Sequence, residues 1–201
     1  MTTTQETFEK EKYLVMSNVV SEEDCKNLVD RLISLYDQGH LYKDEQCPKS
    51  DSIYGDECLD QLLEMLADPL SEVIGRKLVP TYTYARIYRP GEVLEKHIDR
   101  PSCELSATLT LGYDSDDGIW PIFFDDEREI EVELDVGELA FYKGAEVVHW
   151  REEFTGKWHV QVFLHYVDAD GPYAETNKYD GRNMLSHHKK ILETSGTEDI
   201  L

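Results

Sequence analysis

Along the first third of the chain, hydrophobic positions recur at the spacing of a helix: Leu28, Leu32 and Leu35, with Val29, Ile33 and Tyr36 beside them, ending at Gly39. Ser21 supplies a hydroxyl N-cap, and Glu22, Glu23 and Asp24 place negative charge in the first turn, where the helix dipole favours it. A short strand from Tyr13 to Met16 precedes this helix, after a polar N-terminal tail. A second helical stretch runs from about Cys58 to Ile74, with a break expected near Asp68 and Pro69, because proline has no N–H to offer a helix interior. Residues 40–56 between the two helices are polar and contain Tyr42, Cys47, Pro48, Tyr54 and Gly55. A connection of that length commonly serves as a lid.

From Pro80 the period changes to two. Tyr82, Tyr84, Arg86 and Tyr88 share one face of a strand, and Thr81, Thr83, Ala85 and Ile87 share the other. Further strand patterns cover 106–112, 120–124, 129–135, 138–142 and 158–166, punctuated by glycine turns at Gly137 and Gly144. Short strands at such intervals describe a mainly β barrel or jelly roll flanked by N-terminal α-helices. No repeat or low-complexity linker divides the chain. It therefore reads as one domain: residues 1–78 as helical support and loop, 79–167 as the β-barrel core, and 168–201 as a C-terminal extension with a short helix over 182–192.

The formal net charge of −22 over 201 residues makes the surface strongly negative, which disfavours nucleic acid and anionic membrane and favours neutral or basic partners. No stretch has the roughly 20 apolar residues of a membrane span, and the N-terminus lacks the pattern of a signal peptide, so a cytoplasmic protein is expected. Cys25, Cys47, Cys58 and Cys103 are scattered and form no CxxC, which points to reduced, buried thiols.

Candidate chemistry concentrates in His97 and Asp99, alternate residues at the end of a strand, whose side chains point to the same side. A third ligand must come from a neighbouring strand, and His149 lies on one. Two imidazoles and a carboxylate on one face of an ion leave the opposite face open, the ligand set of non-haem Fe(II) oxygenases.

With Arg86-Ile-Tyr-Arg-Pro-Gly91 ahead of the pair, Cys103-Glu-Leu-Ser-Ala-Thr-Leu109 after it and Val147-Val-His-Trp150 beyond, residues 82–166 resemble the 2-oxoglutarate-dependent Fe(II) oxygenases, particularly the prolyl 4-hydroxylase-like branch. The resemblance implies a double-stranded β-helix, with Fe(II) held by His97, Asp99 and His149. It also implies 2-oxoglutarate as co-substrate, molecular oxygen as oxidant and ascorbate as a further candidate cofactor. The implied reaction decarboxylates 2-oxoglutarate to succinate and hydroxylates an unactivated C–H bond, on a peptidyl proline or a small molecule.

The chain departs from the family's pattern at one position. About ten residues after the distal histidine, where the family places an Arg or Lys for the far carboxylate of 2-oxoglutarate, stands His159. A protonated or hydrogen-bonding His159, with Gln161 on the same strand face, is the expected substitute, and Arg86, Arg100 and Arg151 are the other available cations. Tyr88 matches a co-substrate-contacting tyrosine, and Thr108 and Thr110 are candidate donors. The missing cation leaves two rival readings: a cupin-like metal dioxygenase or isomerase that does not use 2-oxoglutarate, and a catalytically silent barrel serving as a binding module. His165 reads as packing or surface polarity, and His187 with His188 as a solvated pair. The acidic runs 114–117 and 125–127 read as barrel rim. Trp150 and Trp158 are expected to shape the site mouth.

Overall fold

The computed structural model describes residues 3–125 and 128–195, so Asp126 and Glu127 of the second acidic run lie outside the described residues. Helix α1 (Thr4–Glu11) and strand β1 (Tyr13–Met16) lead into α2 (Glu22–Asp37), β2 (Asp51–Tyr54) and α3 (Glu57–Ile74). There follow β3 (Leu78–Tyr88), β4 (Leu94–His97), β5 (Leu105–Asp114), β6 (Ile122–Asp125), β7 (Glu129–Val132), β8 (Leu139–Tyr142), β9 (Val148–Arg151) and β10 (Trp158–Asp168). Helices α4 (Ala174–Asn177) and α5 (Ser186–Ser195) close the order. Among the described residues, no helix is long and apolar enough to cross a membrane.

The strands form a six-stranded sheet in the order β1-β8-β5-β10-β3-β2 and a four-stranded sheet in the order β4-β9-β6-β7. All pairings are antiparallel. From β3 onward the chain crosses repeatedly between the sheets, which is the winding of a double-stranded β-helix, as the sequence led us to expect.

Period-two alternation gives the larger sheet two unlike faces. Ala85 and Ile87 of β3, Ala107 and Leu109 of β5, and Val162 and Leu164 of β10 turn outward into a core shared with Val29 and Leu32 of α2 and Leu59, Leu63 and Leu70 of α3. The opposite positions, Arg86, Tyr88, Ser106, Thr108, Thr110, His159, Gln161 and His165, point into the barrel and are all buried. Burial of so many polar groups requires that they satisfy one another or a ligand.

Three local features differ from the sequence expectation. The N-terminal tail contains α1, started by a capping box between Thr3 and Glu6 and anchored by Phe8, which is buried and stacks on Phe141 at 5.5 Å. The loop over 40–56 contains β2, paired to the edge of β3. Helix α3 runs through Pro69 without a break. Proline at this position removes the hydrogen bond to the carbonyl of Met65. Met65 is 64% exposed, so that carbonyl lies on the solvent side, where water replaces the lost donor.

Pro69→Ala should therefore raise stability by about 1–3 kcal/mol by restoring the helical N–H. Urea unfolding of the two proteins measures the difference; a lower midpoint for the alanine variant would show that proline's restriction of the unfolded chain dominates instead.

Candidate metal centre

Strands β4 and β9 pair with His97 directly opposite His149. Side chains directly opposite in an antiparallel pair are nearest neighbours, and the two imidazole rings are 4.3 Å apart between centroids. Asp99 follows β4 and is held by its backbone N–H, which donates to the Gly144 carbonyl at 2.8 Å. Its Oδ1 lies 3.7 Å from His97 Nε2 and 3.6 Å from His149 Nε2. The three ligand atoms thus lie within one coordination sphere's width of each other.

The second nitrogens of both rings fit ligation. His97 Nδ1 is 2.7 Å from the Glu95 carbonyl and His149 Nδ1 is 3.0 Å from the Val147 carbonyl. Donation from Nδ1–H to a carbonyl leaves each Nε2 lone pair free and fixes the ring orientation. Burial holds the His149 pKa below its ordinary value, which keeps the imidazole neutral as a ligand must be. The donor set, two neutral imidazoles and one carboxylate, suits a divalent transition ion with open positions.

Two neighbours orient Asp99, and the sequence reading had not given either a role. Ser106 donates to Asp99 Oδ2 at 3.0 Å, and His165 Nδ1 stands 2.9 Å from the same hydroxyl. His165 is buried, and burial drives its pKa down to about 4 although the Asp99 charge opposes the shift. It is thus an interior group, as its period-two register with His159 allows, and not a surface one. Gly144 is the other constraint: a Cβ there would lie 2.3 Å from Asp99 Oδ2 and 2.4 Å from the Cys103 carbonyl.

The three ligands line a cavity of about 350 Å³ together with Asp44, Gln46, Tyr82, Arg86, Tyr142 and Phe163. The 40–56 segment reaches this cavity. Asp44 accepts from Arg86 Nη2 at 2.6 Å, and the Gln46 amide nitrogen is 3.4 Å from His97 Nε2. Arg86 is further committed to Ser52, Tyr88 and the Gln46 carbonyl. Sequence spacing carries no signal for a pairing across 42 residues, and Asp44 was not foreseen.

Tyr88, Thr108, Thr110, His159 and Gln161 are buried inside the barrel and are not among the residues that line this cavity. His159 Nε2–H donates to Gln161 Oε1 at 2.8 Å, Gln161 Nε2 donates to Thr108 at 2.7 Å, and Thr110 donates back to Gln161 at 3.1 Å. His159 is fully buried, and burial together with the nearby Arg151 charge pushes its pKa down to about 3. The expectation of a protonated His159 therefore fails on electrostatic grounds: its imidazole is neutral and its donor is already used. Arg100 is paired bidentately with Asp180, at 3.0 and 2.9 Å. Arg151 is the remaining cation of the sequence reading; it projects from β9 on the same side as His149 and is buried, which lowers its pKa to about 10.

The tryptophan expectation also needs correction. Trp150 is adjacent to His149 on β9, so it points the other way, stacking on Phe123 beneath Lys96. Trp158 packs outside the barrel against Gly112 and Val29. The tryptophan inside is Trp120, whose ring meets those of Tyr88, Phe154 and His159. Near the C-terminus, His187 and His188 both contact Glu64, each at 2.9 Å, tying α5 to α3.

Gly144→Ala should displace Asp99 and weaken divalent-metal affinity by about 10- to 100-fold with the fold retained. Anaerobic equilibrium dialysis against Fe(II) measures this, and wild-type affinity in the variant would refute the steric argument. His159 generates a stability prediction. The unfolded chain takes a proton near pH 6.5 that the folded state refuses until about pH 3. Stability should fall as pH drops from about 6.5 toward 4, by about 1.4 kcal/mol per unit for this group. His159→Gln should make that slope shallower in urea unfolding; an identical slope would mean that His159 is protonated in the fold.

No protein-family model and no curated protein sequence matches the chain. Solved structures do. A prolyl-4-hydroxylase from Pseudomonas putida superposes with a TM-score of 0.67 at 17% identity, covering 82% of this chain and 97% of that one. The viral collagen prolyl hydroxylase of Paramecium bursaria Chlorella virus-1 gives 0.62 at 13% identity, covering 79% and 97%. HygX from Streptomyces hygroscopicus, solved with nickel and 2-oxoglutarate bound, gives 0.66 at 11% identity, covering 81% and 85%. The fold of this chain is thus the jelly roll found in solved 2-oxoglutarate/Fe(II) oxygenases.

Proposed function

We propose that the chain is an Fe(II)- and 2-oxoglutarate-dependent oxygenase that hydroxylates an unactivated C–H bond. The observation that carries this reading is the convergence of His97, Asp99 and His149 on one point at the wall of an open cavity, each imidazole with Nδ1 turned to a backbone carbonyl. Similarity of fold to prolyl hydroxylases and to HygX supports the same cofactor pair. Fe(II), 2-oxoglutarate and oxygen together supply an oxidising equivalent, with decarboxylation of the co-substrate to succinate and carbon dioxide.

The chain's own residues would hold and shield that chemistry. His97, Asp99 and His149 would hold the ion from the wall of the cavity. Ser106 fixes the Asp99 carboxylate, so its Oδ1 stays aimed between the two rings. Asp44 and Gln46 bring the 40–56 segment against the site and limit the entry of water. Convergent, intact ligands favour catalysis over the silent-barrel reading.

For substrate we propose a peptidyl prolyl residue. Similar structures include, besides the hydroxylases above, a prolyl hydroxylase from Trichoplax adhaerens in complex with a peptide fragment. Ile98 and Phe163 line the cavity and offer apolar surface against which a pyrrolidine ring would pack. The acidic surface would favour neutral or basic flanking sequence. The fold also serves the epimerase SnoN and the carbocyclase SnoK, so the cavity lining and not the fold selects the substrate.

The test is succinate formation from 2-oxoglutarate by the Fe(II)-loaded protein, with a panel of proline-containing peptides. His97→Ala, Asp99→Ala and His149→Ala should each lower turnover by orders of magnitude while leaving the thermal transition in place. Near-wild-type succinate production by Asp99→Ala would remove the triad, and with it the proposal.

A further inference from the structure

Arg151 occupies an unusual position for a cation. It is 1% exposed, its Nη1 donates to the Trp120 carbonyl at 2.6 Å, and its guanidinium lies 4.8 Å from the Trp120 ring centroid. Its Nε and Nη2 have no hydrogen-bond partner among the described residues, and the ionisable groups near it are the hydroxyls of Tyr88 and Tyr142 and the imidazoles of His149 and His159, not carboxylates. Buried guanidinium groups are otherwise paired and hydrogen-bonded, because the donors lose water on burial and must find another acceptor. Two free donors in a planar fork define the complement sought, a carboxylate.

The other cations of the barrel are spent. Arg86 is neutralised by Asp44 at 2.6 Å, Arg100 by Asp180 at 2.9 Å, and Lys143 by Glu9 at 3.0 Å. His159 is neutral, with its donor on Gln161. Arg151 is also close to His149 along the chain. It is two residues from His149 on the same face of β9, about 7 Å along the strand, comparable with the reach of a five-carbon dicarboxylate chelated at its 2-oxo acid end. Tyr88, Trp120 and Phe154, all buried, enclose the region in a water-poor setting where a charge-assisted pair is strong.

We propose that Arg151 anchors the far carboxylate of 2-oxoglutarate, supplying from β9 the charge that is missing at position 159 on β10. This assignment rests on the oxygenase reading and adds to it a specificity: 2-oxo acids without a second carboxylate would leave the Arg151 donors unpaired and bind weakly.

The test is anaerobic titration of the Fe(II)-loaded full chain, followed by the visible charge-transfer absorption of the chelated 2-oxo acid. Two ligands are compared, 2-oxoglutarate and 2-oxopentanoate, which shares the chelating end and lacks the far carboxylate. Arg151→Met should weaken 2-oxoglutarate by about 100-fold and leave 2-oxopentanoate unchanged. Arg151→Lys keeps the charge but loses the fork, so its loss should be smaller and again confined to 2-oxoglutarate, which preserves the test if the methionine variant does not fold. Equal affinity of wild type and variants for 2-oxoglutarate, or equal losses for both ligands, would overturn the anchor while leaving the oxygenase reading in place. Absence of the absorption from the unaltered protein would overturn that reading and the anchor with it.

Discussion

The antiparallel register that sets His97 against His149 governs the arrangement of the whole interior. A one-residue slip of either strand would turn its imidazole to the opposite face of the sheet and part the pair, because side chains alternate with period two. That register is held by the crossings of the chain between the two sheets, each of which brings a strand back beside an older one. It carries consequences beyond the ligands. With His149 turned inward, Arg151 is also turned inward, and Trp150 is excluded from the site. The inward turn of His149 thus carries Arg151 inward with it, and the barrel must supply an environment for a buried cation.

The two faces of the larger sheet divide the labour. Outward positions are aliphatic and bury against α2 and α3, so stability comes from apolar area on that side. Inward positions are polar and are closed into networks, as in His159, Gln161, Thr108 and Thr110. Such a network orders the interior around Gln161, and its neutral His159 offers no proton near neutral pH. The contrast between Arg86 and Arg151 is instructive, since both are buried guanidinium groups in one barrel. Arg86 meets the charge of Asp44 and spends its donors within the protein; Arg151 meets only aromatic rings and one carbonyl. The first is a structural ion pair linking the 40–56 segment to the barrel, and the second keeps two donors unpaired.

Much of this was legible in the sequence because it depends on local periodicity. The inner face of β3 was readable from Tyr82, Tyr84, Arg86 and Tyr88, and the start of α2 from Ser21. The pair His97 and Asp99 was readable from alternation, and His149 from its strand and the resemblance. What the sequence concealed depends on long-range contact or on exposure. Pro69 marks a helix break in sequence terms, yet the helix continues because the carbonyl it deprives faces water. Strand β2 and the Asp44–Arg86 pair have no local signature, being fixed by an edge that only the assembled sheet presents. Trp158 was placed beside the site from nearness in sequence to His159, although adjacent residues on a strand face opposite ways. The charge state of His159 was not legible at all, since it is set by burial and by the proximity of Arg151, which lies on another strand.

The 40–56 segment joins these themes. It is tied to the barrel by backbone pairing of β2 with β3 and by the buried Arg86–Asp44 pair, so its body is fixed even though it lies over a cavity. Gln46, two residues beyond Asp44, extends from that fixed body to His97 Nε2, the candidate ligand atom. An ion bound at that nitrogen would compete with the amide for its lone pair, so Gln46 would have to turn aside. The other end of the same amide accepts from Arg86, which ties Gln46 to the ion pair as well. A site built this way adjusts its entrance without disturbing Asp99, whose carboxylate is held from the opposite side by Ser106 and by the close approach of Gly144.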